Sequence, residues 1–370
     1  MASPEGMINP LHSSVIDRVD PDFARVYNKY QAPKLRADQV PYEIYNQDRP
    51  KYTVPTHEIE GPIADVEGIT LHKVPVTHPK GEIAIQVIRP TANAIASGGL
   101  ATSDGLLPAY IDFHGGGFVI GSLATDATFC RGVAHHVGCI VVNVDYRLAP
   151  EYPHPTQVLD CLDALRWVVF RAGELGIDAD RLAVGGFSAG GCLAAALALL
   201  VRDEEGGGDG NHAKIKIPPL RLQLLVVPVL DCRFVPEEED GRCDPATTPY
   251  ASYTALHDAP CLPMHRLVWF YNLWLGKGAL RASNAADFRA SPMTASSHAG
   301  LAPASIHCAA LDPLLDEGRL YHQRLVEAGT RSDLTVYDGV GHPFGHWTAE
   351  VPAARAFVQD AWVALRKAFR

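Results

Sequence analysis

The chain has no basic surplus. Its 32 Lys and Arg stand against 42 Asp and Glu, a formal net charge of −10 over 370 residues. Affinity for a nucleic-acid backbone comes mostly from Lys and Arg neutralising phosphates, so nucleic acid is not an expected partner. A long apolar run is missing as well. The longest uncharged one, Cys192 to Val201, is far short of the roughly 18 to 20 residues that a helix needs to cross a bilayer, and no membrane span is expected. The first residues, M-A-S-P-E-G-M-I-N-P, have acid and proline where a secretory signal has a basic start and an apolar stretch of about 7 to 15 residues. A cytoplasmic location is expected. None of the eight cysteines (Cys130, Cys139, Cys161, Cys192, Cys232, Cys243, Cys261 and Cys308) forms a C-x-x-C pair, which argues against zinc knuckles and redox motifs. Reduced, mostly buried thiols are expected, and no metal site. Phosphate-loop and dinucleotide glycine patterns are also absent.

What is present is a chain able to fold. Hydrophobic residues make up 47% and charged residues 20%, close to soluble globular averages, so long disordered segments are not expected. Short β-branched runs alternate with longer helix-like stretches, the pattern of an α/β protein with a mainly parallel sheet. Strands are expected at Ile83–Arg89, Ala109–Phe113, Cys139–Asp145, Leu182–Gly185, Leu222–Val229, Ser305–Ala309 and Leu334–Tyr337. Helices are expected at Ala124–Val137, Thr156–Leu175, Ala189–Arg202, Asp316–Ala328 and Val351–Phe369. Two regions break this rhythm: residues 1 to about 55, and Asp231 to about Arg289 with its aromatic segment L-V-W-F-Y-N-L-W-L at 267–275. That segment reads either as a core helix or as the wall of an apolar pocket. The acidic, glycine-rich stretch Asp203–His212 reads as a solvated loop and lacks the ligand spacing of an EF-hand.

The strongest chemical signal is R-L-A-V-G-G-F-S-A-G-G at 181–191, an apolar strand running through G-x-S-x-G into an alanine-rich helix. A serine on so tight a strand-to-helix turn needs small residues two positions to either side, and Ser188 would project its hydroxyl above the sheet. The helix start behind it adds positive potential where an oxyanion could form. A second signal is H-G-G-G-F at 114–118, directly after a strand. Three successive glycines leave backbone N–H groups unobstructed, as in an oxyanion-hole loop. The adjacent His135 and His136 are read as helix-face residues, since no partner at metal-ligand spacing stands out.

With D-Y-R-L-A-P-E at 145–151, R-A-S-P-M at 289–293, L-D-P-L-L-D-E-G at 311–318 and G-H-P-F at 341–344, the chain resembles the hormone-sensitive-lipase-like branch of the α/β-hydrolase superfamily. This branch includes carboxylesterases and arylacetamide-deacetylase-like enzymes. The resemblance implies an α/β-hydrolase fold, a mostly parallel sheet with helices on both faces and a helical cap. Residues 56–230 and 290–370 would form the catalytic domain, with 1–55 and 231–289 as cap. It also implies Ser188 as nucleophile, Asp312 as acid and His342 as base, with Gly116, Gly117 and the N–H of Ala189 as oxyanion donors. Asp316, Glu317 and Asp231 are rivals for the acid, and His346 for the base. The implied activity is hydrolysis of small to medium apolar carboxylic esters, without a cofactor. A lactonase, thioesterase or deacetylase with the same triad, or a non-catalytic receptor of the same fold, are the other readings. A small-molecule ester is the implied partner, and a homodimer is a further implication.

The sequence departs from that branch in having Phe187 before the nucleophile, where Asp or Thr is usual, and Pro343 after the histidine, where glycine is usual. The substrate pocket is expected to involve Phe187, Phe118, Trp269, Tyr271, Trp274 and Phe344.

Overall fold

Residues 6–54, 58–203 and 215–370 are described by a computed structural model. The acidic stretch after Asp203 lies outside them, as do Pro55, Thr56 and His57. Eight strands pair into a single sheet: β1 Gly68–Thr77, β2 Lys80–Arg89, β3 Leu107–Phe113, β4 Ile140–Asp145, β5 Ile177–Phe187, β6 Leu222–Val226, β7 Ala304–Ala309 and β8 Ser332–Tyr337. Their order is β1-β2-β4-β3-β5-β6-β7-β8. Strand β2 is antiparallel to both β1 and β4, and every pairing from β4 to β8 is parallel. This is the α/β-hydrolase arrangement, with helices on both faces.

Side-chain alternation along the strands divides the core in two. Ile111, Val142, Val184, Leu225 and Ile306 point to one face, which the helices Thr156–Phe170, Ala189–Asp203 and Leu315–Glu327 cover. Tyr110, Val141, Ala183, Leu224 and Ala309 point to the other, under Ala127–Val137 and Pro352–Phe369. Burial on both faces explains why β3 to β7 read as near-continuous apolar runs.

Three expectations need correction. Strand β1 had no place in the reading; it is an edge strand with mostly exposed side chains, and Pro75 is tolerated there because an edge needs fewer ladder donors. Strand β6 ends at Val226 rather than Val229, because Val227 turns into left-handed backbone at φ 41°. The helix expected over 156–175 is interrupted at Arg171 and resumes as Ala172–Leu175.

The two irregular regions both contain helices. In the first, Pro21–Tyr30 begins where Asp20 accepts hydrogen bonds from the N–H groups of Asp22 and Phe23, followed by Tyr42–Gln47. The second contains Met264–Leu275 and Gly278–Ala286. The regions meet at Tyr45, whose ring stands edge-on to Trp269 at 6.2 Å. All eight cysteines are free thiols, and all but Cys243 are buried. Among the described residues, no helix is long and apolar enough to cross a membrane, and no three His, Cys, Asp or Glu side chains cluster as metal ligands.

Candidate active site

At the carboxyl end of the sheet, β5 runs into Ser188 and then directly into the helix Ala189–Asp203. Ser188 has φ 55°, a left-handed conformation that costs a non-glycine residue about 1–3 kcal/mol and persists only where its surroundings impose it. They do so here through three hydrogen bonds. Its N–H donates to the Val226 carbonyl at 2.8 Å, and its carbonyl accepts from Cys192 at 3.1 Å and Val229 at 3.3 Å. The flanking glycines have an equally direct cause. A Cβ on Gly190 would lie 1.7 Å from the Phe113 carbonyl oxygen, and one on Gly186 2.0 Å from the same atom.

Asp312 follows β7 and His342 follows β8, and the loops that carry them are joined by a hydrogen bond from Leu311 to the Val340 carbonyl. His342 Nδ1 lies 2.7 Å from Asp312 Oδ2, and the other carboxylate oxygen, Oδ1, accepts from the Leu314 N–H at 3.0 Å. Ser188 and His342 line one cavity, with no hydrogen bond closed between them among the described residues. Resting catalytic pairs often stand slightly apart and tighten on substrate.

The rival residues are committed elsewhere. His346 gives its Nε2 to Asp126 at 2.6 Å. Burial alone would lower the pKa of His346, but the Asp126 carboxylate outweighs that and raises it. The Asp231 carboxylate takes the Arg233 guanidinium and the Tyr250 hydroxyl. Asp316 accepts from the Ser252 N–H. Glu317 is buried and accepts from the N–H groups of Leu230 and Asp231 and from the Tyr253 hydroxyl.

Beyond β3, the H-G-G-G-F loop reaches the cavity that Ser188 lines, with Gly116 at φ 121° and Gly117 at φ 59°. Both line the cavity, and among the described residues neither donates its N–H to a protein acceptor. The loop is braced by His114, whose ring stacks on Tyr146 at 4.2 Å and lies 2.8 Å from the Gly115 carbonyl through Nδ1. The Tyr146 hydroxyl donates to the His114 carbonyl at 2.7 Å. Burial lowers the His114 pKa.

The cavity has a volume of about 650 Å³, in the usual range for small-molecule sites. Phe187 and Tyr271 are in its lining, and four other expected pocket residues are not. Phe118 and Trp274 stack on each other at 3.5 Å in the core, Phe344 is fully buried beside Tyr337 and Phe357, and Trp269 packs on Tyr45. The residues missed in their place are Leu267 and Phe270 from the same aromatic helix, and Ile120, Arg49 and Arg266. Helical spacing was the available signal: Leu267, Phe270 and Tyr271 share one face, from which Trp269 points away. Phe187 also touches the His346 ring, at 4.3 Å between centroids, so it forms a wall of the cavity where the branch usually has a polar side chain.

Comparison with known proteins agrees with this architecture. A sequence model described as alpha/beta hydrolase fold matches residues 110–346. An AB hydrolase superfamily protein of Schizosaccharomyces pombe is 32% identical over 370 residues, covering 98% of this chain and 97% of that protein. An ethyl acetate hydrolase of Pseudomonas putida is 38% identical over 238 residues, 64% of this chain and 65% of its own. Among solved structures, an ester-hydrolase from the metagenome of Lake Arreo, complexed with a derivative of bipyridine phosphonate, superposes with a TM-score of 0.77 at 29% identity. It covers 95% of this chain and 99% of its own.

Proposed function

The chain belongs to the alpha/beta hydrolase fold family and is a carboxylic-ester hydrolase, and we propose that Ser188, His342 and Asp312 carry out the hydrolysis. The observation that carries this assignment is the 2.7 Å contact of His342 with Asp312 on the cavity into which the strained Ser188 turn opens. Held through Nδ1, the imidazole presents Nε2 as the base that takes the Ser188 proton while Oγ attacks the ester carbonyl. Asp312 keeps that tautomer and stabilises the imidazolium that forms.

The carbonyl oxygen, now negative, is received by the N–H groups of Gly116, Gly117 and Ala189, which need no reorganisation because backbone holds them. His342 then returns its proton to the departing alcohol. Water repeats the attack on the acyl-enzyme with His342 again as base, and Ser188 is regenerated. The apolar lining from Ile120, Leu267 and Phe270 favours esters whose body is apolar. Residues 6–54 and 231–289, which meet at Tyr45 and Trp269, form the cover over the catalytic domain in this reading, because both contribute lining residues.

The test is hydrolysis of p-nitrophenyl butyrate together with covalent labelling by a fluorophosphonate. Both are expected in the wild-type chain and neither in Ser188→Ala. A folded Ser188→Ala protein that retains ester turnover would remove the assignment.

A further inference from the structure

The charges that line the cavity run against those of the chain. The whole sequence has ten more acids than bases, yet among the described lining residues there is no Asp or Glu, and there are two arginines, Arg49 and Arg266. Neither comes from the strand ends that carry Ser188 and His342. Arg49 opens the 3₁₀ turn Arg49–Tyr52 of the amino-terminal segment, and Arg266 lies in the first turn of Met264–Leu275.

Arg49 is not neutralised. Its Nε and Nη2 both donate to the Asn46 Oδ1, at 2.9 and 2.6 Å, and its guanidinium lies 5.8 Å from the centre of the Tyr45 ring, itself part of the lining. Asn46 is a neutral acceptor, so the full positive charge remains, and among the described residues no carboxylate pairs with Arg49. Arg266 is partly neutralised. Its Nε lies 3.2 Å from Asp38 and its Nη1 donates to the Cys261 carbonyl at 2.5 Å. The same Asp38 also pairs with Arg36 at 3.2 Å. Burial pushes the Asp38 carboxyl up, but His265, Arg266 and Arg36 outweigh it and hold the group well below the usual carboxylate range. One ionised carboxylate thus faces two guanidiniums, and the cluster keeps an excess positive charge.

A purely apolar ester makes no use of two cations in its site, and neither has a carboxylate to itself, since Arg49 donates to Asn46 and Arg266 shares Asp38 with Arg36. A ligand carboxylate would supply the partner with the fork geometry that guanidinium matches. We propose that the enzyme acts on carboxylate-bearing esters, half-esters of dicarboxylic acids, whose free carboxylate binds Arg49 and Arg266 while the ester carbonyl lies at Ser188. This rests on Ser188 as the nucleophile. The reaction balances as an ordinary hydrolysis. The acyl carbon exchanges its bond to the alcohol oxygen for one to the water oxygen, the alcohol leaves with a proton from His342, and the second carboxylate is released with one proton.

The experiment compares kcat/KM for monoethyl adipate with that for ethyl heptanoate, followed by ethanol release. The wild-type enzyme is expected to prefer the half-ester by about tenfold or more, the worth of a charge-assisted hydrogen bond. Its KM for the half-ester should rise with salt while that for the neutral ester does not, because exposed charge pairs are screened. Arg49→Gln, on a half-exposed turn, should cut the preference about fivefold or more, and Arg49→Glu should reverse it. Lys73→Gln, at an exposed cation on β1 away from the cavity, should leave the ratio as it is. Equal or better turnover of ethyl heptanoate by the wild type, or an unchanged ratio in both Arg49 variants, would overturn the carboxylate preference and leave the esterase reading intact. A wild type that hydrolyses neither ester and takes no fluorophosphonate would overturn the nucleophile assignment, and this inference with it.

Discussion

His342 Nδ1 stands 2.7 Å from Asp312 Oδ2, whereas His346, on the same loop, places its Nε2 2.6 Å from Asp126. The two imidazoles therefore differ in what their loss removes. His342→Gln deletes the proposed base and is expected to lower kcat about 10⁴-fold or more. His346→Gln leaves the candidate triad whole, so kcat should fall by less than about tenfold while stability drops by about 1–3 kcal/mol, because buried Asp126 loses its partner. Steady-state kinetics and thermal melts on both variants decide it; the reverse pattern would make His346 the base.

The proposed acid is separated from its rival in the same way. Asp312→Asn presents an amide to His342 and stabilises the wrong tautomer, with an expected loss of about 10⁴-fold in kcat. Asp231→Asn weakens the contacts to Arg233 and Tyr250 and should destabilise the fold without a comparable kinetic effect. A large kcat loss confined to Asp231→Asn would reassign the acid.

Gly117 offers a test of the oxyanion loop that can be reversed. A Cβ there would lie 2.4 Å from the Phe270 ring, so Gly117→Ala should displace the loop and lower kcat about 10²-fold, the order expected for one misplaced donor. Adding Phe270→Ala removes the obstructing ring and should recover part of that loss. Residual strain at φ 59° would keep recovery incomplete. If the double variant is no faster than Gly117→Ala, steric displacement is not the cause.

Glu317 gives a stability signature in pH. Burial raises its pKa from 4.5 to about 8. An acid whose folded value lies above its unfolded one stabilises the fold while protonated, and this contribution is lost as pH rises through the window from 4.5 to about 8. Glu317→Gln cannot titrate, so the wild-type Tm should fall relative to the variant between about pH 5 and pH 9. Parallel Tm curves across that range would count against a protonated buried Glu317.

Much of the candidate site was legible because its turns and glycines depend on local sequence. The Ser188 turn, its glycines and the H-G-G-G-F loop are short-range patterns with short-range causes, such as the Phe113 carbonyl that leaves no room for a Cβ at Gly186 or Gly190. Strands β3 to β7 were legible for a related reason, since burial on both faces leaves apolar runs that single polar residues such as Asp112, Asn143 and Gln223 interrupt only briefly, whereas the polar start of β5, Asp178 to Arg181, was passed over. Strand β1 was not, because its side chains are largely exposed and its apolar alternation changes phase at His72–Lys73, with Ile69 and Leu71 in one register and Val74 and Val76 in the other. The helix at Pro21 had a signal that the reading passed over, Asp20 followed by proline at the first helical position. No local pattern could reveal the pairing of Asp126 with His346, which lie 220 residues apart. Nor could composition show that two arginines and, among the described residues, no acid would line the cavity.

The elbow glycines differ from Gly117 in a way that bears on genetics. Gly117 meets a side chain, and a change at Phe270 can relieve it. Gly186 and Gly190 meet the main-chain oxygen of residue 113, which every amino acid at that position would present. A selection for second-site suppressors of Gly190→Ala should therefore return true revertants at codon 190 and no compensating change at codon 113.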